Sequence, residues 1–463
     1  MKSIVVVILS LVFSACAVMQ PTDPYLPVDS DAYTASVESD KLSSARLPAG
    51  TITLQKAIEI ALHNNPEVAA VGWDAVAAHA RYEQAFGERL PRIGVTGTYT
   101  QHLDEQRLLP VGQPGDPAVL SSDILSGDMV LSLPLLTGGR LIYQAEAAEL
   151  LHQAAAHRFS RSREDLVFNI SSVFFSILAQ QYVIESLEFS LQTLEAHVER
   201  VDALLAAQKA AKVDRMRTEV RLADIRQQWV REKNLLTIQR RILANFLGLE
   251  EGMDRISLRG ELELQEKTMV PEFELALAMA WKQRDDYLAA RAALKARAKT
   301  VDAARAGHWP TVSVQGTYGG RWAVGPTSGM GEDSGDVGRI GLAIEMPLFE
   351  GGRVDARIRE HRAELAAAQE RLRELELQIR LEVETALSNV RSSEERLEAI
   401  RKSVEQARES LRIEQQKYEL GKGSIVDVLD AQAALLETET TYYQVLAELQ
   451  TALAQLKLAM GEE

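Results

Sequence analysis

The spacing of hydrophobic positions changes repeatedly along this chain, and each change marks a predicted element. Between 53 and 87 apolar residues recur at helical spacing, and Asn64-Asn65-Pro66 interrupts them, so two helices are predicted to meet there. From Leu90 to Thr100 the period falls to two, which predicts a β-strand. One face of that strand carries Ile93, Val95, Gly97 and Tyr99.

A second run of period two follows and completes a predicted hairpin. A polar loop from about 101 to 123 separates it from the first strand. Each arm has roughly ten residues, which is the length of a tilted strand that crosses a membrane. Pro134 and Gly138-Gly139-Arg140 end the second strand. Its apolar positions are Met129, Leu131, Leu133 and Leu135.

Long helices dominate the remaining pattern. The first continues from 140 to about 207, and a shorter helix from Asp214 to Phe246 follows a break near 208–213. Roughly 70 helical residues span about 105 Å, and leucine or valine at sustained seven-residue intervals is typical of coiled coils. Each long helix is therefore predicted to pack against the shorter helix that follows it.

The same order of elements then occurs a second time. An irregular segment at 249–271 leads to helices within 272–306 and to strands at 310–320 and 340–346, with a glycine-rich loop at 322–338 between the strands. Gly351-Gly352-Arg353 opens another long helix. The seven-residue spacing in that helix is held by Val383, Val390, Leu397, Val404, Leu411 and Tyr418.

The two halves align residue by residue. The separation is 213 positions for Pro134 and Pro347, Gly138 and Gly351, Gly139 and Gly352, Asp214 and Asp427, and Gly248 and Gly461. Upstream it is 219, as for Val95 and Val314 or Tyr99 and Tyr318, and the difference falls in the loop between strands, where insertions are tolerated. The predicted domains are repeat 1 at 51–248 with a hairpin at about 90–136, a linker at 249–271, and repeat 2 at 272–463 with a hairpin at about 309–349.

Four strands are too few for a membrane barrel of one chain. About eight strands are the minimum for single-chain outer-membrane barrels, and open sheet edges are not tolerated in lipid. If the hairpins cross a membrane, several copies must therefore share one barrel. The strand count does not set the number of copies. The alternative is a pair of soluble hairpins on a helical scaffold.

Composition and charge narrow the classes of function. The chain has 463 residues, 46% of them hydrophobic, and 51 Lys and Arg against 66 Asp and Glu give a formal charge of −15. That balance argues against a nucleic-acid partner, because phosphates are neutralised by clustered Lys and Arg. The eight histidines are scattered, and no phosphate-binding loop, nucleophile elbow or zinc-protease motif occurs. We expect no enzyme activity, no metal site and no cofactor.

The N-terminus has the features of an export signal. Residues 1–15 combine a basic start, a short apolar run and small residues, and this run is too short to span a bilayer. Cys16, the single cysteine, follows at a cleavage position and is predicted to be lipidated with palmitate, so that 16–50 forms a Pro- and Ser-rich tether. The alternative is ordinary cleavage after Ala17. No other run of about 18 consecutive apolar residues occurs, so no transmembrane helix is expected elsewhere.

Four segments together carry a family resemblance. They are Ala61-Leu62-His63-Asn64-Asn65-Pro66, the joints Pro134…Gly138-Gly139-Arg140 and Pro347…Gly351-Gly352-Arg353, and the closing Tyr418…Gly421…Val426-Asp427-Val428-Leu429-Asp430-Ala431. Over about residues 53–461 the chain resembles the TolC-type outer-membrane efflux family, as an outer membrane factor lipoprotein. The implied fold is mainly α with transmembrane β: a long coiled-coil helical barrel joined to a trimeric 12-stranded β-barrel.

This resemblance also implies a function and partners. It implies a homotrimeric exit duct in the outer membrane of a Gram-negative bacterium, lipid-anchored and extending into the periplasm. Such a duct is passive and serves a tripartite efflux or type I secretion system with a periplasmic adaptor and an inner-membrane pump of the RND or ABC type. The alternative from another class is a lipid-tethered periplasmic coiled-coil scaffold without a pore.

The candidate site lies at the second long turn. The resemblance implies that Asp427 and Asp430 form acidic rings at a narrow periplasmic entrance, and that Tyr418 and Asp214 form a latch that holds the entrance closed. Carboxylates spaced i, i+3 project from one helix face, and a ring of them selects by charge. The alternative is that they only stabilise a helix N-terminus. Gly421 and Gly423 form the turn, and Gly423 stands where members of the family carry an arginine.

Overall fold

The structure is a computed structural model that describes residues 51–109, 120–208, 211–249, 257–262, 270–323 and 334–462. The predicted signal peptide, the tether and Cys16 lie outside these residues. Every structural statement below concerns the described ranges.

Two short helices open each half of the chain, as predicted. In the first half they are α1 (Leu54–Asn64) and α2 (Pro66–Gly87). Asn65 separates them, because its side chain accepts hydrogen bonds from the backbone N–H groups of Glu67 and Val68 and so caps α2, while Pro66 begins that helix. The corresponding pair in the second half is α5 (Phe273–Gln283) and α6 (Asp285–Arg305).

The strands form one antiparallel sheet with two open edges. Strands β2 (Arg92–Arg107) and β3 (Leu120–Leu136) make the first hairpin, and β5 (Thr311–Ala323) and β6 (Ser334–Glu345) make the second. Their order across the sheet is β2-β3-β5-β6, so the two hairpins meet along β3 and β5. Within the chain β2 and β6 each have one unpaired edge.

The strands are longer than the sequence pattern predicts. Arms of about ten residues were expected, whereas β2 has 16 and β3 has 17. Much of the predicted loop at 101–123 is therefore strand. The reason is that the outer end of β2 is polar on both faces apart from Leu103, so the alternation disappears while backbone pairing continues to Arg107 and Leu120. A register shift between Gln101 and Gln106 marks this change. In the second hairpin both strands likewise extend into the predicted loop at 322–338.

The two faces of the sheet differ in polarity. Residues that pair across strands share a face. One face carries Val95, Met129, Tyr318 and Leu342 in neighbouring strands and is mainly apolar. The opposite face carries mainly threonine, serine and glycine together with an ion pair of 2.8 Å between Asp128 and Arg321. One apolar and one polar face is the pattern of a barrel wall between lipid and water.

Two helices of equal length extend from the sheet. They are α3 (Arg140–Ala206) and α7 (Arg353–Glu419), each of 67 residues and therefore about 100 Å long. As predicted, each packs against the helix that follows it, α4 (Lys212–Phe246) or α8 (Ile425–Met460). Of the six seven-residue positions predicted in α7, Val383, Val390 and Leu411 are buried, and Leu397, Val404 and Tyr418 are partly buried. In α3, Leu187, Leu194 and Val201 have the same spacing and are buried.

The residues that separate the two short helices of each half contact the C-terminal ends of α4 and α8 at a repeated junction. The Asn65 side-chain amide donates to the carbonyl of Phe246 at 3.0 Å, and the Arg284 guanidinium donates to the carbonyl of Ala459 at 3.4 Å. These two contacts join residues that correspond under the 219 and 213 offsets, so the structure repeats what the sequence repeats. Arg284 is 1% exposed and is also paired with Asp286 and Glu382, each at 2.7 Å.

One feature of the predicted linker was missed. Strands β1 (Thr51–Ile52) and β4 (Ser257–Leu258) pair in parallel and tie the start of repeat 1 to the segment that follows α4. Strands of two residues are too short to leave a periodic signal. The 249–271 segment is therefore not wholly irregular.

One helix has the length and composition of a membrane span. Helix α3 contains an 18-residue window that is apolar enough to cross a membrane by length and composition, although no run of consecutive apolar residues reaches that length. Half of the window is buried inside the chain. Contacts of α3 with α2, α4, α6 and α8 explain this composition, because one helix packed on several sides needs apolar residues on several faces.

Candidate functional site at the turns of the long helices

The second long turn closes with a glycine-dependent cap. Gly421 has a φ of 69°, and its N–H donates to the carbonyl of Tyr418 while the N–H of Lys422 donates to that of Lys417. This is a Schellman arrangement, which satisfies the last free carbonyls of α7. Gly421 therefore ends α7, and α8 begins four residues later at Ile425.

Gly423 is required for a different reason. Its φ is not left-handed, but a Cβ there would lie 3.0 Å from the Cβ of Lys417 and 3.1 Å from the backbone nitrogen of Tyr418. A side chain there would require Lys417 and Tyr418 at the end of α7 to move by a few tenths of an ångström. The close approach gives a structural reason for glycine at the position where the family resemblance leads one to expect arginine.

The two predicted ring carboxylates lie on the exposed face of the first turns of α8. Asp427 and Asp430 are exposed, whereas Val428 and Leu429 between them are buried. The Asp427 carboxylate accepts a hydrogen bond from the backbone N–H of Ser424 at 3.3 Å, and the Ser424 hydroxyl accepts one from Val426. Asp427 thus belongs to a capping box. Asp430 lies one turn further along the same face, beyond the reach of that box.

The first long turn has the same design with different residues. The Asp214 carboxylate accepts a hydrogen bond from the backbone N–H of Ala211 at 3.2 Å, as Asp427 does from Ser424. The left-handed position that corresponds to Gly421 is Gln208, with a φ of 57°. It is the one non-glycine residue with positive φ among the described residues. No sequence signal identified it, because glutamine is not a residue that marks left-handed turns.

Tyr418 and Asp214 lie near each other at this end of the molecule. Burial raises the pKa of the Tyr418 hydroxyl, the Asp214 charge raises it further, and Arg200 opposes both. Among the described residues no hydrogen bond joins the Tyr418 hydroxyl to Asp214, whose carboxylate is engaged with Ala211. The pair expected to form the latch is therefore in electrostatic contact in the single chain.

An ion pair that the sequence did not indicate joins the two repeats at the same end. Arg200 of α3 donates to Glu419 of α7 at 3.1 Å, next to Tyr418. His197 lies one turn before Arg200 and is 9% exposed; burial lowers its pKa, Arg200 lowers it further, and Glu419 opposes this. The two partners are 219 positions apart and belong to different repeats, so spacing alone could not have paired them.

The strand-to-helix joints also contain left-handed glycines. All four predicted joint glycines have positive φ: Gly138 61°, Gly139 86°, Gly351 62° and Gly352 79°. Next to the first joint, β3 shifts its register on β5 between Pro134 and Leu136. The joints differ in their surroundings. A Cβ on Gly138 would lie 2.5 Å from the Cβ of Trp309, whereas nothing lies within 4 Å of such an atom on Gly351.

Comparison with known proteins agrees with this architecture. The model of the outer membrane efflux protein family matches residues 57–249 and 276–462. The chain is 21% identical to outer membrane protein TolC of Vibrio cholerae over 403 residues, covering 87% of this chain and 89% of TolC. It is 26% identical to outer membrane protein OprJ of Pseudomonas aeruginosa over 424 residues, covering 88% and 84%.

A solved structure supports the fold. The open state of the Neisseria gonorrhoeae MtrE outer membrane channel superposes with a TM-score of 0.74 at 20% identity, covering 88% of this chain and 89% of MtrE. The two segments that match the family model correspond to the two repeats described above.

Proposed function

This chain belongs to the outer membrane efflux protein family, and on that premise we propose that three copies assemble into one duct across the outer membrane and the periplasm. The protein is an outer-membrane efflux channel, a passive exit from the periplasm to the exterior. One observation carries the proposed assembly: a four-stranded sheet with one apolar and one polar face has two unpaired edges and continues into helices of 67 residues. Such edges must be paired in lipid.

A trimer accounts for both the unpaired sheet edges and the long helices. Three copies supply 12 strands, above the roughly eight at which membrane barrels begin, and leave no open edge. They also supply six pairs of long and short helices, which continue the barrel as a coiled-coil tube away from the membrane. We place the turns at Gln208 and Gly421 at the far, periplasmic end of that tube, opposite the sheet.

The partners follow from the passive nature of the duct. The sequence carries no phosphate-binding loop, so the energy for export must come from another protein. We propose that a periplasmic adaptor binds the helical tube and connects it to an inner-membrane pump of the RND or ABC type. We further propose that Cys16 is lipidated and anchors the chain to the outer membrane.

At the entrance, Asp427 and Asp430 are proposed to form acidic rings. Tyr418, Asp214 and the Arg200–Glu419 ion pair are proposed to hold the helical hairpin of α7 and α8 against that of α3 and α4 in the closed state. Gly421 and Gly423 permit the tight turn between α7 and α8. The α7–α8 hairpin would move to open the entrance, because it carries both the ring carboxylates and Tyr418.

Conductance in planar lipid bilayers tests the channel. The purified full-length protein is expected to insert as trimers and to give discrete current steps, with a higher open probability for a variant that combines Tyr418→Phe with Asp214→Ala. A trimer that inserts but never conducts, even after Asp427→Ala and Asp430→Ala, would instead support a lipid-tethered scaffold without a pore.

A further inference from the structure

The two hairpins pair their strands in the same register. In the first hairpin Val95 lies opposite Met129, and in the second Val314 lies opposite Leu342. Shifting the first pair by 219 on β2 and by 213 on β3 gives the second pair. Tyr99 opposite Leu125 and Tyr318 opposite Gly338 obey the same rule. The sequence repeat is therefore also a repeat of strand register.

The two repeats also meet along a pair of strands, and we call such a boundary between repeats a seam. There β3 pairs with β5, and Met129 lies opposite Tyr318 while Leu131 lies opposite Gly316. Under the same offsets, β3 corresponds to β6 and β5 corresponds to β2. The seam between β3 and β5 is thus a template for a seam between β6 of one copy and β2 of another.

The edges that this template would join are more exposed than their counterparts inside the sheet. Val95 on β2 is 80% exposed, whereas its counterpart Val314 is partly buried. Ile344 on β6 is 71% exposed, whereas its counterpart Leu131 is partly buried. Each edge strand therefore lacks the neighbour that its counterpart already has within the chain.

We propose that β6 of one subunit pairs with β2 of the next in the register that β3 and β5 show within the chain. In that register Leu342 lies opposite Tyr99 of the partner subunit, Ile344 opposite the partner's Gly97, and Ala343 opposite the partner's Thr98. The proposal rests on the proposed trimer and adds to it the residues that meet at each subunit boundary.

Two physical arguments favour this register over its neighbours. A shift by one residue would place the apolar set of β2 on the polar face of β6. A shift by two residues would keep the faces but would move the partner's helices by about 6.6 Å along the strands. Within the chain, helix α6, which precedes β5, packs along α3, which follows β3. The same packing between subunits requires the same register.

The joint glycines agree with this arrangement. Gly138 is covered by Trp309 within the chain, whereas Gly351 is open. The counterpart of Trp309 under the 219 offset is Leu90, which is 50% exposed. In the proposed assembly, Leu90 of the partner subunit covers Gly351.

Exposure differs in the same way between α4 and its counterpart α8. Met216 is 55% exposed, but its counterpart Leu429 is 8% exposed in the cluster that joins the repeats. The helices of the next subunit are therefore expected to cover Met216.

Cysteine crosslinking tests the register in the full-length trimer. Cys16 is the single native cysteine, so the unmodified protein is the background control. Oxidation of the Tyr99→Cys/Leu342→Cys variant should shift its band, in non-reducing denaturing gels, from one chain to covalent dimers and trimers. The Thr98→Cys/Ala343→Cys variant samples the other face of the sheet. It is included because adjacent antiparallel pairs alternate between two geometries, and disulfide formation depends on that geometry.

The chain provides matched controls for both variants. Met129→Cys/Tyr318→Cys and Val130→Cys/Thr317→Cys occupy the corresponding positions of the internal seam and should crosslink within one chain, with no shift to dimers. Each intersubunit pair should react to the same extent as its internal counterpart. Tyr99→Cys combined with Ile340→Cys or with Ile344→Cys tests the registers shifted by two residues.

The outcomes separate the register from the channel. Stronger crosslinking of a shifted pair in an intact trimer would overturn the register and leave the channel in place. Failure of both intersubunit pairs while an internal pair reacts would do the same. Absence of any trimer by native sizing, for the variants and for the unmodified protein, would overturn the proposed assembly itself.

Discussion

At the scale of single residues, the two turns place different residues in the left-handed conformation. Gln208 has a φ of 57° and Gly421 a φ of 69°, at corresponding positions of the two repeats. A residue with a Cβ pays about 1 kcal/mol for this conformation, whereas glycine adopts it freely. Nothing lies within 4 Å of a Cβ built on Gly421, so a substitution there probes backbone conformation alone.

A reciprocal exchange tests this difference. Gln208→Gly is expected to raise the apparent melting temperature of the trimer, and Gly421→Gln to lower it, each by the equivalent of about 1 kcal/mol. Thermal denaturation of both variants under one set of conditions is the measurement. If Gln208→Gly is also destabilising, then the glutamine side chain contributes a contact worth more than the backbone strain.

A buried carboxylate should make stability depend on pH. Burial raises the pKa of Glu164, Arg161 at 3.3 Å opposes this and Asp285 adds to it, and the net effect takes the pKa from 4.5 to about 7. Because the folded state binds the proton more tightly than the unfolded state, Glu164 costs stability above about pH 7. That cost is relieved as the pH falls through this value towards the unfolded pKa.

Glu164→Gln removes the titration at this position. The variant is expected to melt at a higher temperature than the unmodified protein at pH 8, and the two melting temperatures should converge as the pH falls towards 5. Melting curves across this range, with Glu437→Gln on α8 as a control, are the measurement. A variant that is less stable at every pH would mean that the ion pair with Arg161 outweighs the cost of burial.

At the scale of elements, the helices were predictable and the ends of the strands were not. Sustained apolar spacing and clear stops such as Asn65-Pro66 and Gly248 predicted the helices to within a few residues. The polar outer half of β2 hid its length, and the two-residue pairing of β1 with β4 left no signal. Pairing between strands is a tertiary property, so it can continue where the local pattern ends.

The candidate site was predictable to a similar degree. Glycine turns and N-terminal carboxylates have local signatures, and the structure places Gly421 and Asp427 accordingly. The left-handed Gln208 has no local signature. The Arg200–Glu419 pair depends on how α3 and α7 approach each other, which no spacing within one helix records.

The contact between those two helices sets the strength of the proposed latch. The Arg200–Glu419 pair is exposed, with side chains 55% and 57% accessible, so it is worth at most about 1 kcal/mol by itself. The Asp214 charge and Arg200 both act on Tyr418, so each of these contacts contributes only a part of the proposed latch. Asp214→Ala with Tyr418→Phe is therefore expected to raise the open probability, and Arg200→Ala to raise it further.

Single-channel recordings of these variants in planar bilayers are the measurement. Arg226→Ala breaks a comparable exposed pair with Glu195 between α3 and α4, within one repeat, and serves as the control. It should leave the open probability unchanged. Unchanged recordings for all the latch variants would contradict the latch but not the channel.

At the scale of the whole molecule, the proposed N-terminal lipid anchor would be a second attachment to the membrane beside the proposed barrel. A lipid chain adds about 0.8 kcal/mol of membrane-binding free energy for each buried CH₂. The proposed barrel holds the trimer in the membrane by itself. Cys16→Ala is therefore expected to abolish labelling with palmitate and to leave the assembled trimer in the outer membrane. Persistent labelling would exclude Cys16 as the site, and loss of the trimer would show that lipidation is required for assembly.

The proposed acidic entrance also depends on the whole assembly. In one chain Asp427 and Asp430 are two exposed carboxylates on one helix, and in the proposed trimer they would be six around a single opening. Asp427→Asn and Asp430→Asn together should lower the preference of the open channel for cations over anions. Asp430→Asn should act without loss of stability, because Asp427 alone forms the capping box with Ser424.

The measurement is the reversal potential of reconstituted trimers under a salt gradient. Asp74→Asn on α2 removes one equally exposed carboxylate far from the turns and is the control. Because a ring of charges acts on ions only where the passage is narrower than a few Debye lengths, an effect of the ring variants without an effect of the control would locate the constriction at Asp427 and Asp430. Equal effects of all the variants would instead mean that the selectivity arises from the net charge of −15 spread over the whole chain.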